Sequence, residues 1–349
     1  MPAFRPPRRS PRHSSRRSPA RFLVHAALAV VPLVASFGAA AQSCEAPGPA
    51  PALGARIASI AMAEYQRFNG HRIDAHGRLW KFGSVETETE PLRAAEGDAA
   101  PPADRYAWRR VWTYWQTLEQ HRPGTAGHRD FKWAPSLLDD PASASPSRVE
   151  SVGALLAAVP ADAPRAEQLR EALVRAAIAD SPWSGAFISF VMHEAGLSDQ
   201  AFHFAGAHAV YIAGALRDEP GYAFRACDIR RTAPRVGDLI CYSRGQRVLE
   251  TFADWQARAG ELDGRTKSHC DVVVSVDPKA LKIESIGGNV LQAVTRRQLM
   301  VNEAGLLARR HYAGAPMNRP RPGSPCAEDA SCEKSDLNQQ HWGVLLQLR

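Results

Sequence analysis

Ser184 is the residue in this sequence best placed to act as a nucleophile. It lies in the first turn of a predicted helix, with Ser181 as the expected N-cap and Pro182 at the first helical position. The free N–H groups and positive dipole end of a helix N-terminus favour an anion, as an oxyanion site requires. The local alternative is a serine that only satisfies the first turn. Helical spacing places Ser184 on one stripe with Phe187, Ile188, Val191 and Ala195.

His269 is the candidate general base for such a serine. It opens the most apolar predicted strand, in which alternation places His269 and Asp271 on one face and Cys270 on the other. Cys270 is therefore a poor partner for His269. An imidazole beside a hydroxyl can take its proton during attack. The alternative is an ordinary surface histidine at the start of a strand.

A third polar group is needed to orient an imidazole, and two residues are candidates. Asn289 follows Gly287 and Gly288 at the end of the next predicted strand, and its side-chain oxygen could accept from the far ring nitrogen. Asp271 is the other candidate. The alternative for Asn289 is a glycine turn with asparagine at positive φ.

His208 and Tyr211 lie on one side of a third predicted helix and could line the same cleft. A hydrolytic metal site built from His203 and His208 with Asp271 or His269 is the rival mechanism. No HExxH or comparable ligand spacing supports it, so we predict no metal and no cofactor. The sequence also has no P-loop, no GxGxxG and no RNA-reading motif, which argues against nucleotide and nucleic-acid functions.

The elements that must position these residues divide the chain into helices first and strands afterwards. This order predicts an α+β domain whose N-terminal helices pack on a mostly antiparallel sheet. Glu86, Glu88 and Glu90 alternate with other residues and predict the solvated side of an extended segment. The predicted helices are 54–68, 104–120, 166–178, 182–195 and 206–217, and the predicted strands are 237–243, 269–276, 281–286, 290–299 and 341–348.

The charge of the chain is concentrated at its N-terminus. The 349 residues carry a formal charge of +7, but residues 1–41 contain seven arginines and no acid, which leaves 36 basic and 36 acidic residues in the remainder. The arginine-rich start, the apolar run from Phe22 and the alanines before Gln42 predict a secretory signal peptide. An uncleaved anchor helix is the alternative. We therefore expect an exported protein, periplasmic or secreted, with no membrane association after cleavage.

Six cysteines follow the predicted cleavage site, and none forms a CxxC pair. In an oxidising compartment disulfides are expected, although the sequence does not choose among the fifteen possible pairings. Cys326 and Cys332 could close a short loop.

Four motifs, taken together in their order, resemble the exported bacterial family called domain of unknown function 2272. They are Pro182-Trp-Ser-Gly-Ala-Phe, Pro234-Arg-Val-Gly-Asp, His269-Cys-Asp-Val-Val-Val and Ile286-Gly-Gly-Asn. Their order also resembles the papain-like cell-wall peptidases of the CHAP and NlpC types, in which a cysteine stands at the position of Ser184. An alcohol, unlike a thiol, must lose its proton to a base during attack.

The resemblance implies a papain-like α+β domain over 165–349, after a signal peptide at 1–41 and a helical and linker region at 42–164. It implies Ser184 as nucleophile, His269 as base, and Asn289 or Asp271 as orienting residue. Trp183, His208 and Tyr211 would contact substrate, a peptidoglycan or wall peptide with a peptide or amide bond to cleave. The alternative is a non-catalytic module that keeps the cleft as a binding site.

Overall fold

The computed structural model describes residue 44 and residues 49–88, 106–123, 130–132, 149–314 and 336–349. Gln42–Arg349 group into one compact unit. The predicted signal peptide at 1–41 lies outside the described residues, as do Cys326 and Cys332. Within the described ranges, no helix combines the length and apolar character needed to cross a membrane.

The described residues form seven α-helices, and five of them lie where the sequence periodicity predicts a helix. One start is wrong: the helix that carries Ser184 begins at Ser184 itself, with Trp183 rather than Ser181 at the N-cap position. The helices are α1 (Ala52–Arg67), α2 (Ala107–His121), α3 (Val152–Ala158), α4 (Ala166–Asp180), α5 (Ser184–Glu194), α6 (His208–Leu216) and α7 (Phe252–Ala257).

Eight strands of the described chain form one sheet in the order β2-β1-β9-β8-β7-β6-β10-β5. Neighbouring strands are antiparallel except for β1 and β9. The predicted α+β class is therefore confirmed. The strands are β1 (His71–Ile73), β2 (Leu79–Lys81), β3 (Asp130–Lys132), β4 (Val149–Ser151), β5 (Phe224–Cys227), β6 (Leu239–Ser243), β7 (Ser268–Asp277), β8 (Lys282–Val290), β9 (Ala293–Met300) and β10 (His341–Leu348), of which β3 and β4 pair separately.

The helices pack on one face of the sheet, and α5 lies at the centre of this layer. The α5 residues from Ser184 to Met192 are all buried, so the helix is enclosed on every side rather than along one stripe. The aromatic stripe of α2 supplies part of that enclosure, because Trp108 and Trp115 are buried in the same cluster. A smaller apolar cluster covers the opposite face of the sheet. Burial of this apolar surface is what holds α5 in place.

Two disulfides are present among the described cysteines. Cys44–Cys227 joins the chain before α1 to β5, across a separation of 183 residues. Cys241–Cys270 joins residues that are directly opposite in the β6–β7 ladder. Cys270 is thus committed to the disulfide, on the face of β7 opposite to His269.

Candidate active site

The N-terminus of α5 is fixed by a buried tryptophan. Trp183 is fully buried, and its indole N–H donates to a carboxylate oxygen of Glu86. Glu86 is only 2% exposed, so the expectation that it belongs to a solvated face is wrong. Burial raises the pKa of Glu86 to about 7, although the tryptophan hydrogen bond opposes the rise.

Ser184 makes its side-chain hydrogen bond with His208. The distance between Ser184 Oγ and His208 Nε2 is 2.7 Å, and the hydroxyl of Tyr211 contacts the other ring nitrogen, Nδ1. All three side chains are buried. Burial lowers the pKa of His208 well below its ordinary value, and the nearby charges of His269 and Arg244 lower it further. His208 is therefore neutral at physiological pH.

His269 makes its hydrogen bond with Asp271 two residues along β7. The distance between His269 Nε2 and Asp271 Oδ1 is 2.9 Å, and both side chains are buried. The period of the strand explains the pairing, because residues i and i+2 face the same side. His269 Nδ1 is also buried and has no hydrogen-bond partner among the described residues.

The carboxylate of Asp271 is held by two residues that the sequence did not single out. Its Oδ2 accepts from Ser285 Oγ at 3.0 Å and from Arg297 Nε at 2.9 Å. Burial alone would raise the pKa of Asp271, but the charge of Arg297 and the hydrogen bonds from His269 and Ser285 outweigh it, so the pKa is lowered. The contact of Arg297 with Asp271 could be predicted only from the register of the strands, because the register determines which side chains share a face with Asp271.

The two imidazoles lie side by side at the start of β7. Their ring centroids are 4.9 Å apart. Within the described residues no hydrogen bond joins Ser184 to His269. None joins Asn289 to His269 either, and Asn289 has a positive φ of 53° at an irregular position of β8. A positive φ is the turn conformation given above as the alternative role for Asn289.

The hydrogen-bond partners of His208 determine which of its two ring nitrogens carries the proton. Tyr211 is fully buried, and His208 is the one partner of its hydroxyl among the described residues. Because an unused buried O–H is costly, Tyr211 donates to Nδ1. The proton of neutral His208 is then on Nε2, from which it donates to Ser184 Oγ. The hydroxyl proton of Ser184 remains available for another acceptor.

His269 is also in the Nε2–H tautomer, but no described residue contacts its Nδ1 lone pair by a hydrogen bond. Asp271 accepts from Nε2–H, which leaves the lone pair on Nδ1. Burial lowers the pKa of His269, and the hydrogen bond and charge of Asp271 offset only part of this effect. The ring is therefore neutral at pH 7 and has a free acceptor nitrogen.

Ser184 and His208 line a cleft of about 480 Å³. Its opposite wall comes from Arg244 at the end of β6 and from the segment before β7 that includes Lys267. Trp183 does not line this cleft, and Tyr211 lies behind His208. The long connection between β6 and β7 thus borders the cleft, and it contains α7.

The rival metal site is not assembled. Among the described residues no group of three or more histidine, cysteine and acidic side chains could hold a metal ion. His203 pairs instead with Glu219, at 2.9 Å between Nε2 and Oε2.

The α+β unit thus places Ser184 and His208 in the wall of one cleft, with His269 beside His208. Residues 103–348 match the model of the family described as "Uncharacterized protein conserved in bacteria (DUF2272)". The chain belongs to this family. No curated protein matches the chain, and no solved structure does.

Proposed function

We propose that this protein is an exported hydrolase of peptide or amide bonds in peptidoglycan-type material, with Ser184 as nucleophile and His269 as general base. One observation carries the proposal: His269 Nδ1 is buried and unpartnered, while Asp271 holds the other ring nitrogen. An acceptor nitrogen in this state is what a serine nucleophile requires.

The choice of His269 over His208 as base follows from charge. A base that takes the serine proton becomes an imidazolium ion. At His269 that ion would contact the ionised carboxylate of Asp271, whereas at His208 it would contact a neutral tyrosine. Arg244 would repel an imidazolium ion at either position, so the Asp271 carboxylate makes the difference. A buried cation without a counterion is strongly disfavoured. His208 instead acts as a neutral donor that positions Ser184 Oγ.

The proposed reaction has two balanced halves. Ser184 Oγ turns its proton toward His269 Nδ1 and forms a bond to the substrate carbonyl carbon, while His269 takes that proton. His269 then gives the proton to the leaving nitrogen as the carbon–nitrogen bond breaks. Water, deprotonated by His269, forms a bond to the acyl carbon. The ester bond to Ser184 Oγ then breaks, the acid product leaves, and His269 returns the proton to Oγ. The N-terminal N–H groups of α5 would stabilise the oxyanion.

The substrate class and compartment rest on sequence resemblance. The four motifs that carry the functional residues have the order found in papain-like wall peptidases, and we propose that the fold is of this papain-like type. The two disulfides agree with export, as does the predicted signal peptide.

A non-catalytic binding module is the second candidate, and one specific observation favours it. The Tyr211–His208–Ser184 chain of hydrogen bonds holds Ser184 without His269, and no hydrogen bond joins Ser184 to His269 among the described residues. A serine held in this way could serve only to shape a cleft that binds wall peptides.

Release of soluble fragments from purified peptidoglycan tests the proposal. The full chain, processed by its host, is compared with Ser184→Ala, His269→Ala and His208→Gln, with and without a chelator. We expect Ser184→Ala and His269→Ala to lose at least about 100-fold in rate, and His208→Gln to lose less, since glutamine keeps a neutral donor. A larger loss in His208→Gln than in His269→Ala would instead indicate that His208 is the general base and that His269 positions Ser184.

Two further outcomes would contradict the proposal. Turnover that disappears only with chelator would indicate a metal mechanism. Absence of turnover in all four proteins, with peptidoglycan still bound by all of them, would indicate the binding module.

A further inference from the structure

Among the described residues that line the cleft beside Ser184, the charged ones are all cations. Arg122, Arg244 and Lys267 are its charged lining residues. The chain after residue 41 is formally neutral, so this bias is local rather than a consequence of overall charge. A concave site lined by one sign of charge concentrates ligands of the opposite sign.

Arg244 and Lys267 are placed directly across from each other. Ser243 pairs with Ser268 in the β6–β7 ladder, and the next pair outward is joined by a backbone hydrogen bond from Arg244 N to Lys267 O of 3.0 Å. Like charges at directly opposite positions destabilise a pair of strands. This arrangement works against stability unless something between the two side chains is negative.

No acidic side chain of the described chain neutralises either cation. Both residues are exposed, and neither forms an ion pair with a described residue. Arg122, in contrast, donates to the backbone oxygen of Phe204 at 2.9 Å. Arg244 and Lys267 are therefore the two cations of this cleft whose side chains no described residue holds by a hydrogen bond or an ion pair.

A second cavity of about 560 Å³ shares Arg244, Thr266 and Lys267 with the first. Acidic residues enter only in this second cavity, where Asp263 pairs with Arg265 and Glu261 lies nearby. The lining of the second cavity also includes Arg247, Arg258 and Arg265, so positive charge exceeds negative charge in both cavities. Arg244 and Lys267 lie at the boundary between them.

We propose that the Ser184 cleft binds peptides carrying a side-chain carboxylate, and that Arg244 and Lys267 bind this carboxylate. Two convergent cations suit one carboxylate, since an arginine can bind both of its oxygens. A nucleic acid would need stacking aromatic residues beside the basic ones, and no Phe, Tyr or Trp is among the described residues that line either cavity. The position of the carboxylate next to a cleaved bond rests on the proposed function. Binding of the carboxylate by Arg244 and Lys267 does not rest on it.

The test compares two peptides that differ by one charge. Acetyl-Ala-Glu-Ala amide and acetyl-Ala-Gln-Ala amide are titrated by calorimetry into the Ser184→Ala chain, which prevents turnover. We expect the glutamyl peptide to bind about tenfold more tightly, and the preference to shrink at high salt. Added Arg244→Gln should abolish the preference, and Lys267→Gln should reduce it.

Lys279→Gln is the matched control, because Lys279 is an exposed cation in the turn at the far end of β7, about 30 Å away at the rise of a strand. It should leave the preference unchanged. Equal binding of the two peptides, no binding of either, or an equal loss in Lys279→Gln would overturn the inference. Tighter binding of a ten-nucleotide single-stranded DNA than of the glutamyl peptide would do the same.

The two proposals fail separately. Peptidoglycan release without a preference for the glutamyl peptide would leave the hydrolase proposal standing and remove the carboxylate site. A preference that depends on Arg244, in a chain that releases no fragments, would keep the carboxylate site in a binding module.

Discussion

At the scale of single residues, the two histidines of the site differ in how well their surroundings stabilise an imidazolium ion. Arg297 and Ser285 hold the Asp271 carboxylate, and Asp271 in turn faces one nitrogen of His269. Arg297 thus stabilises the negative charge of Asp271 next to the imidazole of His269. His208 has no such carboxylate, whereas Arg244 lowers the pKa of both histidines. Two neighbouring histidines therefore have different capacities for proton transfer.

This difference predicts the pH dependence of the proposed reaction. Burial lowers the pKa of His269, so the neutral, reactive form predominates above the ordinary histidine pKa of about 6.5. We expect kcat/KM to be constant between about pH 6.5 and 8 and to fall at lower pH, as His269 becomes protonated. Initial rates on peptidoglycan across this range provide the measurement. A midpoint above pH 7 would contradict His269 as the base.

Asp271→Asn tests the orienting group of the same pair. An amide can donate to Nε2 and so move the imidazole proton to Nδ1, which removes the acceptor needed by Ser184. We expect the rate to fall at least about 100-fold, together with some loss of stability because Arg297 loses its counterion. Ser285→Ala is the control, since it removes one hydrogen bond to Asp271 and keeps the carboxylate. A rate unchanged in Asp271→Asn would remove Asp271 from the mechanism.

Glu86 predicts a separate pH effect on stability. Its folded-state pKa of about 7 lies above the unfolded value, so ionisation on raising the pH from about 4.5 to above 7 favours the unfolded chain. The rise from 4.5 to about 7 corresponds to a cost of up to about 3 kcal/mol. Glu86→Gln keeps an acceptor for Trp183 without the charge. In urea unfolding at pH 5 and pH 8, the parent chain should therefore lose more stability with rising pH than the variant; equal losses would refute this.

Some contacts of the candidate residues could be predicted from the sequence, and others could not. The shared face of His269 and Asp271 follows from strand period alone, and their hydrogen bond agrees with it. The contact of His208 with Ser184 depends on how α6 packs beside α5, which no local pattern encodes. The prediction for Glu86 was wrong for the same reason. The alternation of residue types predicted an exposed segment, but the hydrogen bond with the buried Trp183 places the Glu86 side chain in the interior.

At the scale of elements, the packing of β8 against the site sets the position of the base. Gly287 is the closest point: a Cβ atom there would lie 2.0 Å from Asp271 Oδ1 and 2.8 Å from His269 Nε2. Both distances are shorter than van der Waals contact allows. Glycine at this position is thus required by the His269–Asp271 pair, not by a turn.

Gly287→Ala should therefore disrupt the base and leave the rest of the fold in place. We expect at least about a 100-fold loss of peptidoglycan release and a loss of about 1 to 3 kcal/mol in the free energy of unfolding, as for other overpacked sites. Gly260→Ala is the control, because no atom lies within 4 Å of its added Cβ. Full activity in Gly287→Ala would show that the pair is not needed for the reaction.

Element boundaries illustrate the limit of local signals. Ser181 and Pro182 form a common start pattern, yet α5 begins two residues after Pro182. Trp183 is fully buried and bonded to Glu86 on a distant segment, and this tertiary contact fixes where the helix begins. The strand meander was predictable because its period is local, whereas the parallel contact of β1 with β9 was not.

At the scale of the whole molecule, the two disulfides differ in what they constrain. Cys241–Cys270 joins residues already paired in the β6–β7 ladder and closes a separation of 29 residues. Cys44–Cys227 joins the chain before α1 to β5 over 183 residues and so limits the unfolded chain far more. Cys44–Cys227 thus fixes the segment before α1 to β5, the strand at one edge of the sheet.

Removal of Cys44–Cys227 should consequently destabilise the protein without changing the site. Its loop-closure entropy predicts a loss of about 3 to 5 kcal/mol for Cys44→Ser with Cys227→Ser, measured by urea unfolding under oxidising conditions. Below its own midpoint the double variant should keep the parent rate on peptidoglycan, because neither cysteine lines the Ser184 cleft. Cys241→Ala with Cys270→Ala is the comparison: with a shorter loop it should lose less stability, but it should lose activity, since Cys270 adjoins His269 on β7. Equal loss of activity in the two double variants would mean that the long disulfide also positions the site.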